Sequence, residues 1–158
     1  MLAAIISDTH LYEVTPWFAQ AYERHLAGAD VLIHCGDMAG RPVWSFLMQH
    51  PGFHGVCGNM DEWPLKPELA SRLSLVLEGL RVGACHGWGP RPGLSARIAE
   101  AYGQEYDLFF FGHSHAQEDV LHGGTRMVNP GSFQEGNAKY ALAVIEAGKV
   151  DIRFETAG

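Results

Sequence analysis

Two histidines two positions apart, His113 and His115, follow an apolar run, Leu108-Phe109-Phe110-Phe111, that is bounded by Asp107 and Gly112. Such a run between a carboxylate and a glycine has the pattern of a short strand buried on both faces. Gly112 permits a sharp turn as the chain leaves the strand, which leaves both imidazoles at the rim of the core. Neutral imidazole is a common metal ligand, and a pair spaced in this way converges on one ion or diverges to two, depending on the turn. Other polar residues occupy equivalent places. Asp8 and His10 come after the run from Leu2 to Ser7, Asp37 after Val31-Leu32-Ile33, Asn59 after the run from Phe53 to Cys57, and His86 after the run from Leu80 to Cys85. Each alone has a plain explanation as a helix cap, a turn residue or a loop polar group. That five strands end this way points instead to one shared site.

The elements must bring these residues to one edge. Thr15-Pro16 is a helix start, a capping hydroxyl followed by proline, and Phe18, Tyr22, His25 and Leu26 recur at helical spacing as far as Gly28. Pro42 opens a second helix through Val43, Trp44, Phe46, Leu47 and Met48, closed by Pro51-Gly52. The Pro-rich segment from Trp63 to Pro67 reads as a loop over the strand ends. Segments Ser71 to Leu77 and Leu80 to Cys85 form a hairpin around Glu78-Gly79, and Leu94 to Tyr102 a helix with Leu94, Ile98, Ala101 and Tyr102 on one face. Beyond His115 come Val120-Leu121, a turn at Gly123-Gly124, Met127-Val128 and the turn Asn129-Pro130-Gly131. A final hairpin joins Tyr140–Ile145 to Val150–Phe154 through Ala147-Gly148. The front half therefore alternates strand and helix, and the back half is expected to be antiparallel β. In open α/β sheets ligands bind beyond the carboxyl ends of the strands, where all the candidates lie.

The donors are oxygen and nitrogen with no thiolate cluster, which suits manganese, iron, cobalt, nickel or zinc better than calcium or magnesium. Asp8, His10, Asp37, Asn59, His86, His113 and His115 are too many for one transition metal, and enough for two if a carboxylate bridges. Asp37, central in the order, is the natural bridge. Two divalent ions outweigh the two carboxylates and leave a cationic site for a phosphoryl oxygen. Paired ions about 3.5–4 Å apart suit in-line displacement at phosphorus, with a metal-bound hydroxide as nucleophile.

The segments Asp8-Thr9-His10, Gly36-Asp37, Gly58-Asn59-Met60-Asp61, His86-Gly87 and Gly112-His113-Ser114-His115 together resemble, in order, the motif set of the calcineurin-like metallophosphoesterases. The small size is similar to the compact prokaryotic phosphodiesterase branch, and the resemblance extends through Asn129-Pro130-Gly131-Ser132. It implies an α/β fold, a two-sheet β sandwich flanked by helices, with a dinuclear metal site at the carboxyl ends of the strands. It implies that Asp8, His10, Asp37 and His115 hold one ion and Asp37, Asn59, His86 and His113 the other, with Asp37, Asn59 and His86 at the catalytic centre. Two divalent transition metal ions are expected, manganese first, with iron, zinc, nickel or cobalt as alternatives. The implied activity is hydrolysis of small or aryl phosphodiesters. The alternatives are a phosphomonoesterase, a cyclic-nucleotide hydrolase, or a non-catalytic scaffold like the vacuolar sorting subunit of the retromer complex.

Two positions depart from the family pattern. Met60 stands where many members have histidine; a thioether cannot donate a proton to a leaving group, which favours water as the acid or esters with good leaving groups. Trp88 replaces a second histidine after His86-Gly87 and is expected to wall the pocket or stack on a base or aryl group. His34 is a candidate donor behind Asp37 or a packed strand-end residue, whereas His25, His50, His54, His122 and Arg91 match no ligand motif.

At 158 residues, 47% hydrophobic and 18% charged, the chain fits one globular domain spanning residues 1–158. A net charge of -7 argues against extended nucleic-acid binding. The apolar start is short and lacks a basic lead, and no run approaches a membrane span, so a cytoplasmic protein without membrane association is expected. Cys35, Cys57 and Cys85 are an odd set beside apolar runs, as in reduced thiols. The expected partner is a small phosphoester substrate; the oligomeric state is left open.

Overall fold

The apolar run at the start of the chain becomes β1 (Leu2–Ile6), the central strand of a five-stranded sheet. The computed structural model describes residues 1–158. Beside β1 lie β2 (Val31–His34), parallel to it, and β9 (Ala138–Glu146), antiparallel. The short β3 (Phe53–Gly55) forms one edge and β10 (Lys149–Ala157) the other, in the order β10-β9-β1-β2-β3. A second five-stranded sheet contains β4 (Arg72–Leu77), β5 (Leu80–Cys85), β6 (Leu108–Phe111), β7 (Gln117–His122) and β8 (Thr125–Pro130), in the order β4-β5-β6-β8-β7.

Alternation along the strands builds three apolar layers. Ile5, Ile33, Val82, Phe110, Val128 and Ala143 fill the space between the sheets. Helices α1 (Pro16–His25) and α2 (Arg41–Leu47) cover the outer face of the first sheet, where Phe18, Tyr22, Val43 and Leu47 pack on Ile6 and Leu32. Helix α3 (Leu94–Tyr102) does the same for the second sheet, with Leu94 and Ile98 against Phe109, Phe111 and Met127. β6 is thus covered on both faces, as its unbroken apolar run requires. At the start of α1 the Thr15 hydroxyl accepts a hydrogen bond from the Phe18 amide at 3.1 Å. The helix ends at His25, short of Gly28, with Arg24 and His25 in its last turn where cations oppose the helix dipole.

The back half departs from the antiparallel expectation. β6 is parallel to β5, to which α3 connects it as a crossover, and to β8, because β7 passes to the sheet edge and leaves β8 the slot beside β6. This places the carboxyl ends of β5, β6 and β8 on one rim, facing those of β1 and β2. β3 ends at Gly55, not Cys57: the Val56 amide still reaches the His34 carbonyl of β2 at 3.1 Å, but beyond it the chain turns to Ala70, whose carbonyl takes the Cys57 amide at 2.8 Å. The last hairpin is longer than the apolar pattern indicates, since its ends carry charged and small residues that still pair, from Lys149↔Glu146 to Ala157↔Ala138. The segment Trp63–Pro67 runs into a single 3-10 turn at Lys66–Glu68, and Trp63 is exposed. No helix is long and apolar enough to cross a membrane.

Candidate metal centre

Six of the seven candidate side chains form a close set of contacts where the two sheets meet, and His113 joins them through its ring. Asp8 leaves β1 fully buried, and its Oδ2 accepts hydrogen bonds from the Ser7 hydroxyl at 2.6 Å and the His113 amide at 3.1 Å. Its Oδ1 has no hydrogen-bond partner. That oxygen lies 3.2 Å from His115 Nε2, 3.7 Å from His10 Nε2 and 3.9 Å from His86 Nε2. Asp37 Oδ1 accepts the Met60 amide at 2.7 Å, and its Oδ2 sits 3.2 Å from His86 Nε2 and 3.8 Å from His10 Nε2. Asn59 Oδ1 is 3.0 Å from His86 Nε2. His10 and His115 approach each other with Nε2 atoms 3.4 Å apart, while the His113 ring faces His86 with centroids at 5.2 Å. The opening pair therefore fans apart, His115 toward His10 and His113 toward His86.

Backbone geometry makes the fan. Asp8, His10, Asp37, His113 and His115 all have left-handed backbone, with φ between 49° and 68°. This conformation is uncommon outside glycine, and such strain gathers at functional sites. The other non-glycine residues of this kind are Ala39 beside Asp37 and the hairpin-turn residues Glu78 and Ala147. Glycine supplies the close approaches: a Cβ on Gly58 would lie 2.0 Å from Asp37 Oδ1, and one on Gly112 2.0 Å from Ser7 Oγ.

The site is built of acceptors aimed at a common space. His86 Nδ1 lies 2.8 Å from the Cys35 carbonyl, so Nδ1 carries a proton and Nε2 is the ring atom turned to Asp37, Asn59 and Asp8. His113 Nε2 donates to the Gly89 carbonyl at 2.9 Å, which leaves Nδ1 as its free donor atom. Imidazoles held by carbonyls in this way are oriented for metal binding. A buried, unpartnered carboxylate oxygen surrounded by further lone pairs is costly unless a cation neutralises it. The donor set fits divalent transition ions, and two three-residue groups, Asp8-His10-His115 and Asp8-Asp37-His86, each have ligand atoms within 4.8 Å. Burial works to raise the pKa of Asp8, but the His115 ring 3.2 Å away, the His86 charge and the Ser7 hydroxyl hold it below the ordinary carboxylate value. Asp37 behaves likewise, with His86 and the Met60 amide outweighing burial. Burial opposes charging His86, yet Asp37, Asp8 and the Cys35 carbonyl raise its pKa above that of an ordinary histidine.

The positioning roles of several residues were not legible in the sequence. Asp61 is buried and clamps two loops, its Oδ1 accepting the Ala39 amide at 2.9 Å and its Oδ2 the Gly58 amide at 2.6 Å. Asn129, fully buried at the end of β8, donates from Nδ2 to the Gly112 carbonyl and the Ser114 hydroxyl, and so shapes the His113 turn. A polar residue at a strand end in Asn-Pro-Gly was the available signal. His34 does not touch Asp37; its Nδ1 accepts the Gly36 amide and its Nε2 meets Thr9 Oγ1 at 3.1 Å, tying the loops after β1 and β2 together. Trp88 packs edge-on against Tyr102, and Arg91 is exposed. His25, His50 and His122 make structural contacts with Tyr140, Ala29 and Ser95. All three cysteines are free, and burial pushes Cys85 up to about 12. A cavity of about 530 Å³ lies at the opposite ends of β5, β6 and β8, lined by Arg81, Glu100, Asp107, His122 and Thr125 among others, and contains no candidate ligand.

The model of the calcineurin-like phosphoesterase superfamily domain matches residues 1–148. The chain belongs to that superfamily. Among its relatives, the "probable metallophosphoesterase YsnB" of Bacillus subtilis is 32% identical, with 98% of this chain and 90% of that protein covered. The "probable metallophosphoesterase MJ0623" of Methanocaldococcus jannaschii is 29% identical, with 84% and 68% covered. Two solved structures share the fold of this phosphoesterase chain at low identity. An archaeal phosphodiesterase has a TM-score of 0.78 at 20% identity, covering 99% of this chain and all of the other. Zinc-complexed Vps29 of Entamoeba histolytica scores 0.76 at 21%, covering 99% and 98%. The fold is thus that of the metallophosphoesterases, two mixed sheets flanked by helices.

Proposed function

We propose that this phosphoesterase is a phosphodiesterase for small or aryl diesters, that residues 1–158 form one domain, and that its centre holds two divalent transition ions, with manganese as the first choice. The observation that carries the reading is the buried, unpartnered Asp8 Oδ1 among the nitrogens of His10, His86 and His115. Asp8, His10, Asp37 and His115 would hold one ion, and Asp37, Asn59, His86 and His113 the other. Asp37 Oδ2, within 3.8 Å of both His10 and His86, supports the bridging role. Ions bound there supply water of lowered pKa and neutralise charge on the phosphoryl oxygens. The protein's part is to orient the donors: the Cys35 and Gly89 carbonyls set the tautomers of His86 and His113, and Ser7 and the Met60 amide each anchor one carboxylate oxygen so that the other faces inward. Met60 is half exposed and offers no proton. Esters whose leaving group departs without an enzymatic acid are therefore favoured. The three free thiols support a cytoplasmic location.

A protein-binding scaffold is the second reading, supported by the likeness to Vps29 and by the exposed Met60, Trp63 and Trp88 on loops that bear or adjoin ligands. Purification without chelators, metal analysis, and assay of an aryl diester beside its monoester with added manganese separate the two. The diesterase reading expects about two equivalents of metal and faster diester hydrolysis. Bound metal without turnover of either ester favours the scaffold, and less than one equivalent after loading overturns the dinuclear centre.

A further inference from the structure

We infer that β10 is a self-complementary edge through which two copies of this chain pair antiparallel about Ile152, joining their first sheets into one. β10 is nine residues long and pairs only with β9. Its outer face carries Lys149, Asp151, Arg153 and Glu155, all exposed, and its inner face Val150, Ile152 and Phe154. A two-fold axis through Ile152 sets each residue opposite the one equally far on the other side. Lys149 then meets the partner's Glu155 and Asp151 meets the partner's Arg153, so every charge on that face has its opposite. On the inner face Val150 meets the partner's Phe154 and Ile152 meets the partner's Ile152, which extends the apolar layer between the sheets. Phe154, 38% exposed in the single chain, would be covered.

Hydrogen-bond phase agrees with this register. Ala147-Gly148 closes a two-residue hairpin in which Glu146 and Lys149 face each other. The residues flanking such a turn exchange hydrogen bonds, and the alternation that follows points the odd-numbered groups of β10 at β9. The amides and carbonyls of Val150, Ile152 and Phe154 therefore point to the free edge. Arg126, from the second sheet, already donates to the Val150 carbonyl at 2.9 Å, confirming that this group faces outward. A carbonyl oxygen has a second lone pair for a partner strand. Ile152 and Phe154 thus sit at hydrogen-bonded positions of the new ladder. The charged residues fall at the closer, non-hydrogen-bonded positions, where side chains across a pair interact best.

Neighbouring registers are penalised. Moving the axis to Asp151 opposes Asp151 to itself and Lys149 to Arg153, and moving it to Arg153 opposes Arg153 to itself and Asp151 to Glu155. Charged edges commonly block strand addition; here the alternation of sign selects one register instead of excluding all. The Arg153 to Asp151 pair at 2.9 Å within one strand becomes part of a four-residue ring. Because the pairing is antiparallel, the two metal centres open at opposite ends of the joined sheet and neither is covered.

Sedimentation velocity over a concentration series, with amide hydrogen exchange, tests this. The native chain should shift from 17.3 kDa toward twice that mass as concentration rises, and should shift back with added salt. Asp151→Arg or Arg153→Asp alone should raise the half-association concentration by roughly tenfold or more. The double variant Asp151→Arg with Arg153→Asp should restore association, and exchange at the Ile152 and Phe154 amides should slow only where dimer forms. Far-UV circular dichroism equal to that of the native chain shows that the variants are folded. A native chain that stays monomeric throughout, a dimer unaffected by the single reversals, or a double variant as weak as the singles overturns the proposal.

Discussion

Asp8 Oδ1 shows how one atom can define a site. It is buried, anionic and without a hydrogen-bond partner, and the nitrogens nearest to it belong to His115, His10 and His86. Metal binding and proton binding compete for that space. Asp37 Oδ2 stands between the His10 and His86 nitrogens, so Asp37→Asn should lose both ions and reduce turnover by about 10² or more. Metal analysis after desalting, run beside the diester assay, checks this, and full metal occupancy in the variant would show that Asp37 does not bridge. His34 yields a pH prediction from the same scale. Burial lowers its pKa to about 3, so between the ordinary histidine value near 6.5 and about 3 the unfolded chain binds a proton that the native chain refuses. Its contribution is complete above the unfolded value and is lost as the pH falls toward the folded one, by roughly 1.4 kcal/mol per pH unit. Urea melts of the metal-free protein between those limits should show that slope, and His34→Gln, which does not titrate, should flatten it.

At the scale of elements, the strands deliver the ligands and the loops aim them. Parallel β1 and β2 in one sheet and parallel β5 and β6 in the other end at one rim, where the His113 amide reaches Asp8 and the His86 ring reaches the Cys35 carbonyl across the two sheets. Loop shape depends on close backbone approach. Gly58→Ala puts a methyl group 2.0 Å from Asp37 Oδ1 and 2.2 Å from the Asp37 amide, so one loop must move. Metal affinity should fall by at least about tenfold, on the scale of losses from disturbed ligand support, with a lower unfolding midpoint. Gly28→Ala is the control: nothing lies within 4 Å of its added carbon, and it should alter neither quantity appreciably. Isothermal titration with manganese and thermal melts of both variants provide the comparison. Asp61, which holds the Gly58 and Ala39 amides, has the kind of role that a motif reading overlooks, because its contribution is made to backbone groups of two different loops.

For the whole molecule, the centre is also a staple between sheets. The candidate ligands come from β1, β2 and β3 loops on one side and from β5 and β6 loops on the other, so no single sheet can assemble the set. A ligand that binds only the native state stabilises it by an amount set by its concentration over its dissociation constant, about 2.7 kcal/mol at a hundredfold excess. Saturating manganese should therefore raise the midpoint of a single cooperative transition, and chelator should lower it. Calorimetry with and without chelator is the measurement; a midpoint indifferent to both would mean that the native state binds no metal more tightly than the unfolded chain does.

Much of this was legible in the residues. The buried strand Leu108–Phe111, the capped start of α1 at Thr15-Pro16, the hairpins at Glu78-Gly79 and Ala147-Gly148, and the seven candidate ligands follow from patterns within a few residues of chain, where periodicity, turn chemistry and residue type act directly. The ordered motif set was specific enough to indicate the family. What stayed hidden depends on contacts between segments far apart in sequence. The placement of β8 beside β6, parallel to it, rests on competition among strands for neighbours, and no local pattern encodes it. The work of Asp61, Asn129 and His34 is likewise done on distant backbone amides and carbonyls. The divergence of His113 and His115 depends on left-handed backbone that Asn129 and the Asp8 carboxylate hold in place. Donor types and their order belong to the chain, whereas the direction in which each lone pair points is settled by packing two sheets edge to edge.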